Sequence, residues 1–351
     1  MVKRFLVADV GATKTDLAVY SSDLGPSEPL ASATKTTAQY ATFDSLIAAF
    51  LQSTGQDVDS AVFAVAGPVI DGCVTKTSSH LPWTLDRLQL QQVLKLDSLH
   101  LINDVEAMAT AIPHLAPNHL HTLHAGTPEK QGTLAVIAPG TGLGEAFLLW
   151  EREGYRTCIS EGGHAGFSSS RPIEAELAHY VQETEGYASA ESVCSGMGLP
   201  TIYKCLKEGG HAEEPARLRE QLATAEDHTT VLVQAALSPA PCELIDLTFT
   251  VFTSILGSQA GNLALTVVAT GGVFLAGGIP PRIFPMLNRE LSTFRRTFCN
   301  RGVMTEVMER IPVHVVTYPH VGLLGAYWTY QARTSQMFLQ GKNESVFDAK
   351  S

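Results

Sequence analysis

The chain has 351 residues, of which 45% are hydrophobic and 17% charged, and its formal net charge is −11. The length predicts two domains or one large one, and the composition excludes a disordered chain. The acidic balance argues against nucleic acid as a partner, because clustered Lys and Arg hold phosphate backbones. A small nucleotide remains compatible, since backbone N–H groups and a metal ion can bind its phosphates.

The cysteines and the apolar segments favour a cytoplasmic protein with no membrane partner. No C-x-x-C pair occurs among the six scattered cysteines, which is typical of reduced thiols. The first apolar run ends at Asp9, too early for a signal peptide. Residues 247–281 carry no charge, but polar residues and glycines interrupt them before about 18 consecutive apolar residues accumulate. We therefore predict a buried helix and strand there.

Apolar runs alternate with glycine-rich turns along the chain. A β-hairpin is predicted from RFLVADVG and TDLAVY, a strand from SAVFAVAGPV, and a strand that runs into a helix from LHLINDVEAMATAI. GTLAVIAPGTGLGEAFLLW repeats the strand–turn–strand design. Because this design occurs near residues 5–20 and again near 134–149, we expect two similar α/β halves with a ligand-binding cleft between them.

The remaining elements are predicted from periodicity and helix start signals. PIEAELAHYVQE predicts a helix that begins at Pro172, and the apolar segment CELIDLTFTVFTSILGSQAGNLALTV predicts a long helix. GGVFLAGGIP predicts a strand followed by a glycine turn, and HVGLLGAYWTYQA predicts the last helix. We expect residues 339–351 to form a loose tail.

The first glycine turn, DVGATKTD, offers groups that suit a phosphate. The turn offers backbone N–H groups together with a side-chain hydroxyl and an ammonium group. A carboxylate at the end of the strand could interact with Mg²⁺ through water. A plain hairpin turn is the alternative, and the Walker A pattern is absent. The residues of this phosphate-binding candidate are Asp9, Gly11, Ala12, Thr13 and Lys14.

Two further glycine turns are candidates for binding the same ligand. PGTGLGEA, with Gly140 and Thr141, predicts a second phosphate-sized hairpin, and it leads into a strand rather than the helix of a dinucleotide-binding site. LAGGIPPR, with Gly277 and Gly278, would let a base or ribose lie on the backbone. Taken alone, this third turn is better explained as a tight strand-to-helix connection.

Asn103 and Asp104 end the buried strand of LINDV. A carboxylate at such a position is costly unless it is hydrogen-bonded or used in chemistry. Asp104 could accept a proton from an attacking hydroxyl while Asn103 orients the same ligand. The alternative is a helix N-cap, a common role of Asp and Asn.

Polar side chains also stand beside glycines in EGGHAGF. Glu161 and His164 could contact a polyhydroxylated ligand, hold a metal or cap a helix, but no zinc-protease pattern surrounds them. Glu191, in SAESVCSGMGL, is by itself a glutamate in the first turn of a helix, where the dipole favours it.

Together these segments resemble the bacterial-type glucokinases, which share the fold of actin-like ATPases. The resemblance runs from about Lys3 to about Ala332, and it rests on the order of nine segments: DVGATKTDLAV, AVAGPV, LINDVEAMA, APGTGLGEA, EGGHAGF, SAESVCSGMGL, GNLAL, GGVFLAGGI and GLLGA.

The resemblance implies a two-domain α/β protein of the ribonuclease H-like, actin-like ATPase fold, with a cleft between its domains. The small domain would hold residues 1–112 plus 319–338, and the large domain residues 113–318. The implied reaction is phosphorylation of the glucose 6-hydroxyl by ATP with Mg²⁺, and the implied assembly is a homodimer. Mg²⁺ would be carried by ATP, with no direct protein ligand.

The resemblance also implies a role for each candidate residue. Asp104 matches the catalytic base, and Asn103 matches a sugar contact beside it. The other implied sugar contacts are Glu161, His164 and Glu191. The phosphate turns match Asp9, Gly11, Thr13, Gly140 and Thr141, and the adenosine turn matches Gly277 and Gly278.

Four departures from the family pattern bear on these expectations. Ala12 replaces a glycine, so the turn would be strained if that position required a positive φ. Lys14 replaces a frequent asparagine, Ser79 and His80 alter a segment that borders the sugar in the family, and Gly166 replaces an aspartate. The cysteine-rich zinc motif of the repressor–kinase group is absent, which favours no structural zinc.

Four functions compete at this point. A glucokinase fits best, and a hexokinase of broader sugar range, or one with another phosphoryl donor, shares its chemistry. A non-catalytic sugar sensor on the same fold is disfavoured, because it would not need Asp104. An actin-like polymer or chaperone ATPase is disfavoured by the EGGH and SAE segments.

Overall fold

The chain divides into two compact units. A computed structural model describes residues 2–76, 81–289 and 292–348. One unit comprises residues 1–115 and 318–351, and the other comprises residues 116–317. The altered segment at Ser79 and His80 lies outside the described residues.

The first unit contains seven strands and the second six, within the described residues. The strands of the first unit are β1 (Arg4–Val10), β2 (Lys14–Ser21), β3 (Ala31–Thr36), β4 (Ser60–Val65), β5 (Cys73–Val74), β6 (Leu85–Asp86) and β7 (Ser98–Asn103). Those of the second are β8 (Leu120–His124), β9 (Leu134–Pro139), β10 (Leu143–Glu151), β11 (Gly154–Ser160), β12 (Gly272–Leu275) and β13 (Val313–Val316).

The α-helices flank these strands. In chain order they are α1 (Phe43–Thr54), α2 (Arg87–Val93), α3 (Asp104–Ala111), α4 (Pro172–Glu185), α5 (Gly198–Glu208), α6 (Ala216–Thr224), α7 (His228–Ala236), α8 (Glu243–Val267), α9 (Ile279–Arg282), α10 (Phe284–Leu287), α11 (Thr293–Cys299), α12 (Thr305–Arg310) and α13 (Val321–Asp348). The predicted hairpins, the long helix α8 and the helix that begins at Pro172 are confirmed.

The two large sheets have the same core topology. The first has the order β3-β2-β1-β4-β7, in which the three strands on the β3 side are antiparallel and β1, β4 and β7 are parallel. The second has the order β11-β10-β9-β12-β13-β8, with the same pattern of directions over its first five strands. β8 is an additional antiparallel strand at the edge. This repetition confirms the similarity of the two halves.

The first sheet is covered on both faces, so its central strands are continuously apolar. On one face Leu6 and Phe63 pack with Phe43 of α1. On the other face Phe5 packs with Tyr327 of α13, in the cluster that also contains Ala107 of α3. The sheet is therefore the middle layer of an α/β/α sandwich.

In the second unit one apolar cluster joins the sheet to its helices. Ile137 and Leu275 of the sheet belong to the same buried cluster as Phe252 of α8. The absence of charge over residues 247–281 is explained by burial in this cluster. None of the described helices combines the length and the hydropathy that a membrane span requires.

The last helix is longer than the segment that predicted it. We expected a loose tail from residue 339, and α13 continues through that segment to Asp348. No proline occurs between Val321 and Asp348, and no glycine follows Gly341 there. The sequence therefore contains no helix-ending residue after Gly341.

Replacing Gly325 with alanine is expected to destabilise the first unit. A Cβ on Gly325 of α13 would overlap the backbone carbonyl of Ala107 in α3, so one helix must move. Overpacking of this kind costs about 3 kcal/mol, which lowers the melting temperature by roughly 5–10 °C. The measurement is thermal unfolding followed by circular dichroism.

The matched control for this prediction is Gly25→Ala in the same unit. A Cβ on Gly25 would meet nothing within 4 Å, so its melting temperature should stay within about 2 °C of wild type. Equal melting temperatures for both variants would contradict the close helix contact.

Candidate active site

The first glycine turn connects β1 to β2 and is held by two hydrogen bonds to the backbone of Gly11. The N–H of Gly11 donates to the carbonyl of Lys14 at 3.0 Å, and Thr37 Oγ1 donates to the carbonyl of Gly11 at 2.8 Å. Ala12 has no positive φ, so the alanine is accommodated without the strain that a left-handed position would impose. Thr13 and Lys14 are exposed at the tip.

Charged groups of both signs surround this turn. The ammonium of Lys14 lies 3.2 Å from Asp16 Oδ2, and His320 Nδ1 lies 3.8 Å from the same oxygen. Asp16 is buried on β2, whereas the side chain of Lys14 is 62% exposed. Asp16 therefore anchors two groups that can carry positive charge next to the turn.

Asp9 lies at the end of β1 with its carboxylate against Gly322, in the first turn of α13. Burial, followed by the charges of Asp104 and Asp16, raises the pKa of Asp9 to about 7, and Lys14 opposes the shift. Within the described residues, no donor hydrogen-bonds to this carboxylate. It is thus available to an arriving cation or donor.

Asn103 and Asp104 occupy the boundary between β7 and α3. Asn103 is the N-cap: its Oδ1 accepts from the N–H groups of Val105 at 2.9 Å and Glu106 at 3.2 Å, and its Nδ2 donates to the carbonyl of Gly67 at 3.1 Å. The N-cap alternative is therefore correct for Asn103. Asp104 is the first helical residue, and its Oδ1 accepts from the N–H of Val105 at 2.9 Å.

The parallel strands bring these carboxylates to one edge of the first sheet. Asp9 is paired with Ala64 of β4, which is paired in turn with Ile102 of β7. The carboxyl ends of β1 and β7 thus lie on either side of β4. The contribution of Asp104 to the raised pKa of Asp9 agrees with this placement.

The second glycine turn connects β9 to β10 in the other unit. The N–H of Gly140 donates to the carbonyl of Gly142 at 2.9 Å, which closes the turn. The carbonyl of Thr141 accepts from the N–H of Met197 at 3.2 Å. A Cβ on Gly140 would meet nothing within 4 Å, and Thr141 is exposed. The turn therefore presents open backbone to a ligand.

The third turn lies against the second. Gly277 has a φ of +78°, and a Cβ there would lie 2.7 Å from the carbonyl oxygen of Pro139, the residue before Gly140. The strand-to-helix role is thus sufficient to explain Gly277. Gly278 is exposed, and a Cβ there would meet nothing within 4 Å, which leaves its face open beside the second turn.

The three polar residues predicted to bind sugar come together around one imidazole. His164 Nε2 lies 3.8 Å from Glu161 Oε2, and His164 Nδ1 lies 3.9 Å from Glu191 Oε1. Glu161 and His164 are each about 60% exposed, whereas Glu191 is 18% exposed. Carboxylate acceptors therefore flank both ring nitrogens at the surface of the second unit, at distances longer than direct hydrogen bonds.

Glu191 is held by the start of β10. Its Oε2 accepts from the N–H of Leu143 at 2.7 Å, and its backbone N–H donates to the carbonyl of Gly163 at 2.8 Å. One residue, Glu191, thus connects the end of the second glycine turn with the loop that carries His164.

The two glycines of EGGH are required by packing. A Cβ on Gly163 would overlap the carbonyl of Leu143, and a Cβ on Gly162 would overlap the carboxylate of Glu145. They allow the loop to lie directly on β10.

Two buried carboxylates on the strands that follow the glycine turns were not predicted from the sequence. Glu145 and Asp16 each follow a glycine turn on an otherwise apolar strand, and they are 5% and 4% exposed. A charged residue in such a run was the available signal. No group of three or more His, Cys, Asp or Glu residues in the described segments is arranged to hold a metal, so the metal alternative for Glu161 and His164 gains no support.

Comparisons with known proteins agree with this arrangement. A family model described as glucokinase matches residues 6–333. The glucokinase of Nostoc punctiforme is 34% identical in an alignment of 334 positions that covers 92% of this chain and 97% of that protein. The crystal structure of a glucokinase from an Antarctic psychrotroph is 29% identical, with a TM-score of 0.74 and coverage of 94% of this chain and 99% of its own. A glucokinase from Balamuthia mandrillaris, solved in complex with glucose, has a TM-score of 0.78 at 22% identity and 93% coverage of both chains, and shares the fold.

Proposed function

The chain belongs to the glucokinase family, and on this premise we propose how its residues carry out the reaction. It is an ATP-dependent glucokinase with the actin-like ATPase fold. It transfers the γ-phosphate of ATP to the 6-hydroxyl of glucose and releases glucose 6-phosphate and ADP. The observation that carries the residue assignment is the convergence of Glu161 and Glu191 on His164.

We propose that these three side chains bind the sugar hydroxyls. Carboxylates accept hydrogen bonds from hydroxyls, and an imidazole can donate or accept according to its tautomer. The separations of 3.8 and 3.9 Å leave the hydrogen-bonding capacity of the three groups unused by one another. The remaining N–H of Asn103 Nδ2 is proposed to contact a sugar hydroxyl beside Asp104.

Asp104 is proposed as the general base. The 6-hydroxyl oxygen attacks the γ-phosphorus, its proton moves to an oxygen of Asp104, and the bond from phosphorus to the ADP oxygen breaks. The N-cap at Asn103 fixes the first turn of α3, and the positive end of that helix favours a negative charge on Asp104. The transition state of such transfers is loose, so positioning and charge stabilisation provide most of the catalysis.

The glycine turns are proposed to bind ATP. Backbone N–H groups at Gly11–Thr13 and Gly140–Thr141 would hold the phosphates, with Lys14 as an added positive charge. Gly278, and Gly277 through its backbone, would lie against the adenosine. The third turn lies beside the second, which supports one nucleotide across both.

Mg²⁺ fits the carboxylate of Asp9. Oxygen ligands suit this ion, and Asp9 has no hydrogen-bond donor within the described residues that would compete for it. We propose that Asp9 holds an ATP-bound Mg²⁺ through water. When bound, the ion would offset negative charge on the phosphates.

The cellular setting is part of the same proposal. The six cysteines are free, which supports a reducing, cytoplasmic location. We propose that the enzyme supplies the entry step of glycolysis and works as a homodimer, for which sedimentation at micromolar concentration is the direct measurement.

The function is tested by sugar-dependent release of ADP from MgATP. We expect turnover with glucose, and a kcat/KM for mannose lower by about tenfold, because an epimer leaves a polar group of the site unpaired. Assays with fructose and without sugar are the controls. Preference for another sugar would indicate that the altered segment at Ser79 and His80 changes the sugar specificity. The absence of turnover with any sugar would favour the non-catalytic sugar sensor.

A further inference from the structure

Glu145 is a buried carboxylate on β10, beneath the loop proposed to bind sugar. It lies on β10, two residues after Leu143, and is 5% exposed. Its Oε1 accepts a hydrogen bond from Gln259 Nε2 of α8 at 2.8 Å. Its Oε2 faces Gly162, where a Cβ would overlap it.

A buried structural carboxylate is usually paired with positive charge or with several hydrogen-bond donors. Glu145 accepts a hydrogen bond from the neutral amide of Gln259. Burial raises its pKa, and the hydrogen bond from Gln259 only partly offsets this. Glu214 in the same unit shows the contrast. Burial opposes its ionisation too, but hydrogen bonds from Lys207, Arg219 and Tyr203 lower its pKa to about 2. A carboxylate buried with one neutral donor adds little stability, so packing alone does not explain Glu145.

Three contacts with β10 hold residues 161–164, called the sugar loop here, and Glu191, whose N–H donates to Gly163 of that loop. The N–H of Leu143 donates to Glu191, the carbonyl of Leu143 lies under Gly163, and the carboxylate of Glu145 lies under Gly162. Gly162 is also held by its N–H, which donates to Ser160 Oγ at 3.0 Å. The backbone on either side of Gly162 carries Glu161 and leads to His164.

We propose that Glu145, held by Gln259, is a positioning residue for glucose binding: it sets the height of Gly162 above β10 and thereby the placement of Glu161 and His164. This inference rests on the proposed sugar-binding role of those two residues. Glu145 acts through the loop and does not itself touch the sugar.

The first experiment is Glu145→Gln with Glu214→Gln as the matched control. The Glu145 variant keeps an acceptor for Gln259 but turns an amide group towards Gly162. We expect its KM for glucose to rise about tenfold, since small displacements of binding groups have large kinetic costs, with the KM for ATP within twofold and the melting temperature not lowered. Glu214→Gln should do the reverse, lowering the melting temperature and leaving the KM for glucose unchanged.

The second experiment is a rescue that a merely structural role would not produce. Gly162→Ala should raise the KM for glucose about tenfold by pushing the loop off β10. In a Glu145→Ala background the overlapping atoms are gone, so adding Gly162→Ala should cost less than about twofold. Gly163→Ala, whose clash is with the backbone of Leu143, should not be rescued.

Glu161→Ala distinguishes the positioning role of Glu145 from the proposed sugar-binding role of Glu161 and His164. Glu161→Ala should raise the KM for glucose in parallel. If it does so while Glu145→Gln has no effect and the rescue fails, the positioning role is overturned and the site assignment stands. If Glu161→Ala leaves glucose binding unchanged, both are overturned.

Discussion

Replacing Asp104 with asparagine is expected to lower kcat by about 10²–10⁴-fold, the usual contribution of general acid–base catalysis. Asparagine retains an oxygen that can accept the N–H of Val105, as Asp104 Oδ1 now does, so the first turn of α3 should persist. What is lost is the basicity that accepts the proton of the 6-hydroxyl. The measurement is steady-state release of ADP with saturating glucose and MgATP.

A measurement of glucose binding and a matched control variant test whether the loss of kcat is specific to the base at Asp104. Calorimetry should show glucose affinity within about threefold of wild type, because Glu161, His164 and Glu191 are untouched. Asp44→Asn is the control, since Asp44 is also an acidic residue in the first turn of a helix of the same unit, and its kcat should not change. A kcat for Asp104→Asn within a factor of ten of wild type would remove Asp104 from the role of base.

Replacing Asp9 with asparagine should weaken catalysis while it stabilises the protein without ligand. The pKa of Asp9 is about 7 in the folded protein and 3.8 ordinarily. Between these values the folded protein holds a proton that the unfolded chain releases. The stability of wild type therefore falls as pH rises from about 4 to 7, and the loss is complete above pH 7.

Asparagine removes this pH-dependent loss. Without Mg²⁺ and ATP, the melting temperature of Asp9→Asn should equal that of wild type near pH 4 and exceed it by at least about 3 °C at pH 8. The same variant should lower kcat by about 100-fold, because the neutral amide no longer attracts the cation bound to ATP. The measurements are thermal unfolding from pH 4 to 8 and turnover at saturating MgATP.

Asp16→Asn supplies the contrast for this prediction. Asp16 is also buried near the turn, but it is paired with Lys14 and close to His320, so removal of its charge should lower the melting temperature at pH 8. If Asp9→Asn were also less stable than wild type at pH 8, the carboxylate of Asp9 would have a stabilising partner and the proposed cation site would be wrong.

The elements of the fold were predictable because their signals are local. The hairpin at Asp9 and the strand-to-helix boundary at Asn103 are encoded by apolar runs, turn residues and a capping residue within about ten positions of one another. The full extent of α13 was not predicted, because polar composition alone does not exclude a helix.

The missing parts of the site depend on contacts between distant residues. Glu145, Gly162 and Gln259 meet in space although they are separated by up to 114 positions, and alternation along β10 does not show what its inward side chains contact. The packing reason for the glycines of EGGH was therefore not visible in the sequence. Ala12 likewise required backbone angles to decide whether it was strained.

The short stretch from Gly140 to Glu145 restricts how this enzyme can be redesigned. Within six residues it forms the turn proposed to bind nucleotide, holds Glu191 and supports both glycines of the loop proposed to bind sugar. An insertion or deletion there would move all of these supports at once and reverse the faces of β10. Efforts to change sugar preference should therefore vary the side chains at the loop surface and leave the length of this stretch unchanged.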